Sequence, residues 1–233
     1  MIDLHSHFLP NIDDGAQSAD ISIQMLSLSK EHGVDICVGT PHISLHNKDS
    51  ITEFTKKRQE SIEELERAIK EKSGNFELPK LLYGAEVFIF SDISVYDNLE
   101  ELCIGDTRYL LVELTTGQYI DGYNEWLYSL NLKGIIPIIA HIERYPYINR
   151  LISELAGVDT VLQINAKTVE NYFSRKKFYK YCQGKHRVIV SSDMHDTSIR
   201  RTQMKEAYEK VKKHHPNLAE QAFVEIPKKI LNI

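Results

Sequence analysis

Two histidines one residue apart open the chemistry of this chain, in Asp3-Leu4-His5-Ser6-His7. Residues two apart on an extended segment share a face, so His5 and His7 can aim at one point and ligate one ion. Alone the pair is a weak signal, since two locally satisfied histidines would look the same. Asp13-Asp14-Gly15 follows within a few residues and brings carboxylates, although such a triplet is also an ordinary turn. Six more residues stand just after apolar runs: His42, Glu86, Glu113, His141, Asp193 and His195. A carboxylate or imidazole there is costly to desolvate unless it is paired or metal-bound. Any one of them is more often structural than catalytic, but the recurrence of the pattern points to a metal centre. Mixed imidazole and carboxylate donors suit Zn, Mn or Fe better than Ca or thiolate chemistry. Counting Asp14, the nine candidates are too many for one ion. Two or three ions with bridging carboxylates are expected.

The elements that must position these residues recur in one order. A helical stretch ends in Gly, a short apolar run follows, and the run stops at a residue able to do chemistry. Gly33 leads through Val34–Gly39 to His42, and Gly134 through Ile135–Ala140 to His141. Gly157 leads through Val158–Ile164 to Asn165, and Gly184 through Val188–Val190 to Asp193 and His195. The glycines fit the left-handed position that ends a helix, and the apolar runs fit strands buried on both faces. Ile2–Leu4, Leu81–Ala85 and Tyr109–Val112 bring the strands to seven. Helices are expected after Ser18, Thr52, Asp121, Lys167 and Thr197, and from Pro146, with Ser18 and Thr52 as N-caps. Alternating strands and helices imply a parallel sheet. Polar residues at each strand's C-terminal end suggest a barrel with its site on that face, an open doubly wound sheet being the alternative. Lys56-Lys57-Arg58 and Glu63-Glu64 read as a solvated face of one long helix. Without a linker or low-complexity tract, residues 1–233 read as one domain.

Composition narrows the function classes. A net charge of −5 offers no basic excess for a nucleic-acid backbone. No apolar stretch is long enough to span a membrane, and MIDLHSHFLP is not a signal peptide, so a cytoplasmic protein is expected. Cys37, Cys103 and Cys182 are unpaired in spacing and read as small buried hydrophobes. Cys103 reaches Arg108 and Cys182 reaches Arg187 one residue short of the cysteine-phosphatase spacing. No phosphate-binding glycine loop or nucleophile elbow occurs. His32 and His186 lie next to helix-ending glycines, and His214 and His215 near the end of a charged helix. These four read as structural, while His46, in the loop after His42, can at most touch a substrate.

In order, DLHSHFLPNIDDG, TPH, YGAEV, LLVEL, PIIAHIERY and SSDMH resemble the motifs of PHP-superfamily phosphoesterases over nearly the whole chain. The likeness is to bacterial tyrosine-protein phosphatases of the CpsB/CapC/YwqE type, encoded with capsule and exopolysaccharide synthesis. That resemblance implies a seven-stranded, distorted TIM-like (β/α)7 barrel with three divalent ions, Mn²⁺ foremost and Mg²⁺, Fe or Zn²⁺ as options. It implies His5, His7, Asp14, His42, Glu86, Glu113, His141, Asp193 and His195 as ligands. Arg144 in HIERY resembles the phosphate-binding arginine, Arg200 stands where a second often occurs, and Arg144 and His42 take the catalytic roles. The implied reaction is direct attack on phosphorus by metal-activated hydroxide. The implied partner is a phosphotyrosine protein, a bacterial tyrosine kinase tail, without nucleic acid or membrane insertion.

The bland reading of Arg144 is a salt bridge to Glu143 or Asp13. Tyr119, Tyr123, Tyr145 and Tyr147 either pack against an aromatic substrate ring or are amphipathic surface tyrosines. Two positions depart from the family pattern. Ile43-Ser44-Leu45-His46-Asn47-Lys48 stands where relatives tend to be basic directly after the histidine, and Ile226 where Asn before Pro is common. The rival readings are a small-molecule phosphatase acting on a substrate such as histidinol phosphate, a hydrolase of nucleic-acid ends, and a metal-binding module without turnover.

Overall fold

The computed structural model describes residues 1–72 and 77–233. Among them, nine strands form two parallel sheets: β1 (Ile2–Ser6), β2 (Ile36–Gly39), β3 (His42–Ser44), β4 (Lys80–Tyr83), β5 (Glu86–Ile89), β6 (Tyr109–Leu114), β7 (Ile136–Ile139), β8 (Val161–Asn165) and β9 (Arg187–Ser191). One sheet has the order β1-β2-β4 and the other β3-β5-β6-β7-β8-β9, with every pair parallel. The expected strands are present, but two are followed at once by further short ones. Pro41 lacks an N–H for the ladder and separates β2 from β3, while Gly84-Ala85 separates β4 from β5. The break is bridged by Gly84 N–H to Gly39 C=O at 2.9 Å and Glu86 N–H to Pro41 C=O at 3.0 Å. His42 and Glu86, read from sequence as residues beyond strand ends, thus begin β3 and β5 and pair in register. At the far edge, Asp193 N–H donates to His5 C=O at 2.9 Å and His7 N–H to Met194 C=O at 2.8 Å. These bonds tie the end of β9 to β1.

Nine α-helices lie between and after the strands in the described residues: α1 (Ala19–Glu31), α2 (Ser50–Glu71), α3 (Tyr123–Leu132), α4 (Ile148–Glu154), α5 (Ala166–Glu170), α6 (Arg175–Cys182), α7 (Met204–Lys212), α8 (Pro216–Glu220) and α9 (Ile226–Ile230). Ser18 caps α1 as expected, its hydroxyl accepting from Ile21 N–H. Thr52 does not cap α2, which starts two residues earlier, and Pro146 precedes rather than opens α4. Gly33, Gly134 and Gly157 have φ of 77°, 74° and 87°, whereas Gly184 is not left-handed. On α2, Ile51, Phe54, Ile62 and Leu65 form the buried stripe. Arg58 is not part of a solvated face, because its guanidinium donates to Gly84 C=O and Glu101 C=O, both at 2.8 Å.

Two apolar clusters hold the layers. The larger joins helices to the sheets. The smaller joins Leu111, Ile138, Val161 and Ile189 from β6 to β9, together with Ile230 and Leu231 at the α9 end. Strand alternation then sets the residue types one level higher on the same faces. Two residues on from Leu111, Val161 and Ile189 stand Glu113, Gln163 and Ser191. On each of these strands the face that buries hydrocarbon presents a polar group two residues nearer the C-terminal end.

Candidate metal centre

The Asp13-Asp14-Gly15 turn folds back onto β1. A Cβ at Gly15 would lie 2.1 Å from the His7 carbonyl oxygen, so only glycine fits. Ala16 N–H donates to that same carbonyl at 3.1 Å. The two neighbouring carboxylates part company here. Asp13 Oδ2 holds His7 Nδ1 at 2.7 Å and accepts from His42 N–H at 3.2 Å. Asp14 faces the open side, its Oδ1 lying 3.4 Å from His42 Nε2 and 3.3 Å from His195 Nε2.

Around this turn all nine candidates come together. His5 Nε2 and His7 Nε2 face each other at 3.1 Å, and Glu86 Oε2 lies 3.1 and 3.3 Å from them. Asp193 Oδ1 completes that group at 3.5 and 3.6 Å. Glu86 is the hub: its other oxygen meets His141 Nε2 at 3.0 Å, and Oε2 also meets His42 Nδ1 at 3.0 Å. Glu113 Oε1 is 3.4 Å from His141 Nε2. Three sets have ligand atoms close enough to share an ion: His5, His7 and Asp193; His7, Asp14, His42 and His195; and His42, Glu86 and Glu113. His32, His186, His214 and His215 belong to none of these sets.

Four of the five rings, those of His5, His7, His141 and His195, are turned by a partner on the far nitrogen, which is how proteins aim ligating imidazoles, whereas both nitrogens of His42 face candidate carboxylates. His5 Nδ1 donates to Gln163 Oε1 at 3.2 Å, and His195 Nδ1 to its neighbour's carbonyl, that of Asp193, at 3.0 Å. His141 Nδ1 lies 3.2 Å from the Tyr145 hydroxyl. Gln163 Oε1 also takes His141 N–H at 2.6 Å, and a chain of amides runs from Gln163 through Asn165 to Asp193 Oδ2. His141 and Asp193 sit at φ 31° and 54°, a left-handed strain that these bonds over-determine.

The electrostatics call for cations. Burial alone would lower the His7 imidazole, but its bonds to Asp13 and Glu86 prevail and raise it to about 10. His5 is raised in the same way by Glu86 and Asp193 against the cost of burial. Burial opposes charge on Asp193 as well, yet His5 and His7 hold it down to about 2. In contrast, burial and then the charge on His7 push His195 down to about 3. His195 Nε2 is buried without a hydrogen-bond partner, since Asp14 Oδ1, though near, is misaligned. A neutral, orphaned nitrogen near a carboxylate it does not bond, beside rings that hold protons only to satisfy carboxylates, fits divalent ions displacing those protons.

A cleft of about 560 Å³ opens above the cluster, bounded by Asp14, His42, Glu113, Arg144 and Arg200 and completed by Ile43, Ser44 and Phe88. Arg144 pairs with neither Glu143 nor Asp13. Its Nη2 bonds Asp193 Oδ2 at 2.8 Å, while Glu143 accepts from Asn165 N–H and Thr168. Arg200 Nη1 bonds Asp14 Oδ2 at 3.1 Å. None of the four tyrosines lines the cleft, and only Tyr119 and Tyr147, both half-buried with hydrogen-bonded hydroxyls, fit the amphipathic surface reading. Tyr123 and Tyr145 are buried, and the rings of Tyr119, Tyr123, Tyr145 and Tyr147 pack on one another at the end of β6, where the hydroxyls of the last three meet Leu114 and Thr115. Tyr145 instead accepts from Leu114 N–H and braces His141. Sequence reasoning missed Asp13, Gln163 and Tyr145 as positioning groups and Phe88 as cleft lining. Burial pushes the Cys37 thiol up and holds Cys103 at about 11 and Cys182 at about 12, in keeping with inert packing.

Comparison with known proteins adds four findings. The family model described as "Capsular polysaccharide synthesis, CpsB/CapC" matches residues 1–232. The tyrosine-protein phosphatase CpsB of Streptococcus pneumoniae is 30% identical over 244 aligned residues, covering 99% of this chain and 98% of that protein. Among solved structures, one described as YwqE from Bacillus subtilis and CpsB from Streptococcus pneumoniae, "unique metal-dependent tyrosine phosphatases", superposes with a TM-score of 0.80 at 26% identity. It covers 100% of this chain and 94% of the other. A lactonase from Listeria monocytogenes, at 11% identity and a TM-score of 0.55 over 98% and 93% of the two chains, shares the fold alone.

Proposed function

Because the chain belongs to the CpsB/CapC family, we propose that it is a metal-dependent phosphatase that hydrolyses phosphotyrosine in proteins. One observation carries this reading: five imidazoles and four carboxylates converge beneath a cleft flanked by two arginines. Three divalent ions, Mn²⁺ foremost, are the occupants. His5, His7, Glu86 and Asp193 would hold one, Glu86, Glu113 and His141 a second, and Asp14, His42 and His195 a third. The ions supply Lewis acidity and a water acidified enough to attack phosphorus near neutral pH.

The chain's own residues do the rest. Asp13, Gln163 and Tyr145 hold the His7, His5 and His141 rings so that each Nε2 points inward. Arg144 and Arg200, each more than a third exposed, turn from Asp193 and Asp14 to the phosphoryl oxygens. A guanidinium fork can hold two oxygens at once. His42, with its side chain 37% exposed, is the imidazole of the set most open to the cleft and nearest the reacting group. The nine short strands count as seven when β2 runs on into β3 and β4 into β5. The β1 to β9 bonds support a distorted seven-stranded barrel in one PHP domain over residues 1–233.

The protein substrate is the tyrosine-rich tail of a bacterial kinase of capsule or exopolysaccharide synthesis, met in the cytoplasm. The family description supports the link to capsule synthesis. The test is phosphate release from a phosphotyrosine peptide and from histidinol phosphate, with Mn²⁺ and with a chelator. Mn²⁺-dependent turnover of the peptide, at least about tenfold above the metabolite, is expected. The reverse preference would reassign the substrate to a small molecule and keep the metal centre.

A further inference from the structure

Glu86 points into the cluster from the first position of β5, and period-two alternation puts Phe88 and then Phe90 on the same face, each step nearer solvent. The parallel register makes this a ladder across three strands. His42, Glu86 and Leu111 align in one row, and Ser44, Phe88 and Glu113 in the next. The first row holds two candidate ligands, whereas in the second a phenyl ring stands directly beside Glu113. Phe88 is the only phenyl ring lining the cleft among the described residues, and it is only half-buried. Its ring lies 6.0 Å from that of Phe90, which is 38% exposed. Phe90 in turn lies 5.6 Å from His46, in the loop that departs from the family's basic pattern. Three rings thus climb outward from the ligands, from half-buried Phe88 to exposed Phe90 and His46.

A tyrosyl phosphate carries a flat apolar ring between phosphorus and main chain, whereas an alkyl phosphate carries none. Resting on the phosphotyrosine reading, we propose that Phe88, backed by Phe90 and His46, is the specificity-determining surface that packs against the substrate's phenyl ring. Offset or edge-on ring contacts add to simple apolar burial, so the ring should be worth about tenfold in affinity. Phe88 acts on binding of the ester's organic part and leaves the phosphoryl group to the arginines and the ligand cluster.

The experiment is calorimetric titration of the Mn²⁺-loaded chain with phenylphosphonate and with methylphosphonate, in native, Phe88→Ala, Phe88→Leu and Phe88→Tyr forms. Native chain should prefer the phenyl compound by about tenfold or more. Phe88→Ala and Phe88→Leu should lose that preference with methylphosphonate affinity unchanged, and Phe88→Tyr should keep it. An unchanged preference in Phe88→Leu, equal weakening of both compounds, or no native binding of either would overturn the proposal. Turnover separates this outcome from the parent reading. A Phe88-dependent phenyl preference without hydrolysis of a phosphotyrosine peptide sinks the phosphatase assignment alone. Hydrolysis without that preference sinks only the role of Phe88.

Discussion

The two ends of the strands are built on opposite principles. Ahead of the ligand-bearing positions along the chain, Ile138, Val161 and Ile189 pack with Ile230 in an apolar cluster. Toward the C-terminal ends buried imidazoles and carboxylates crowd together, two backbone positions are left-handed, and His195 Nε2 lacks a hydrogen-bond partner. The first end gains stability from contact alone. The second holds charge and strain whose relief waits on bound cations. Changes at one end should therefore move folding, and changes at the other should move metal binding and rate.

The sharpest break should come at Glu86, which touches His5, His42 and His141 at 3.0–3.1 Å. Glu86→Gln should lower kcat by about 10³-fold and shrink the rise in Tm on adding Mn²⁺, both measured on purified protein. A rate within tenfold of native would remove Glu86 from the centre. Next is Ile138→Ala at the apolar end, where the lost methylenes and the cavity should cost about 2–5 kcal/mol of stability in denaturant melts. Metal stoichiometry per folded molecule should stay as in the native chain, and its loss would show that the two ends are not separable. The smallest effect is expected at Asp13, which reaches the cluster only through His7 Nδ1, the nitrogen opposite the inward-pointing Nε2, and the His42 N–H. Asp13→Asn should weaken metal affinity by about 10–100-fold with a full complement of ions at saturation. An ion lost even at saturation would make Asp13 itself a ligand.

Much of this centre was legible in the sequence, because each ligand type follows an apolar run that forces a polar residue to find a partner. The arrangement behind the ligands was less so. Asp13 and Asp14 are identical neighbours, and only the close approach of Gly15 to His7 decides which one buttresses and which one faces the cleft. Gln163 lies inside an apolar run and reads as strand filler until His5 and the His141 amide converge on it. The run Leu81–Ala85 suggested a strand ending at Glu86. The chain instead starts a new strand there, so Phe88 and Phe90 fell in what looked like a loop.

The ligand chemistry, the parallel α/β alternation and the likeness to a metal-dependent phosphatase family were determined by residue types and short periods along the chain, because local spacing alone sets which side chains share a face. Which strands break, which aspartate turns inward, what Arg144 pairs with and which aromatic rings reach the cleft were decided by the tertiary structure. Each of these depends on segments up to some 190 residues apart, as in the hydrogen bond from Ser192 N–H to Asp3. No periodicity within one segment carries that information.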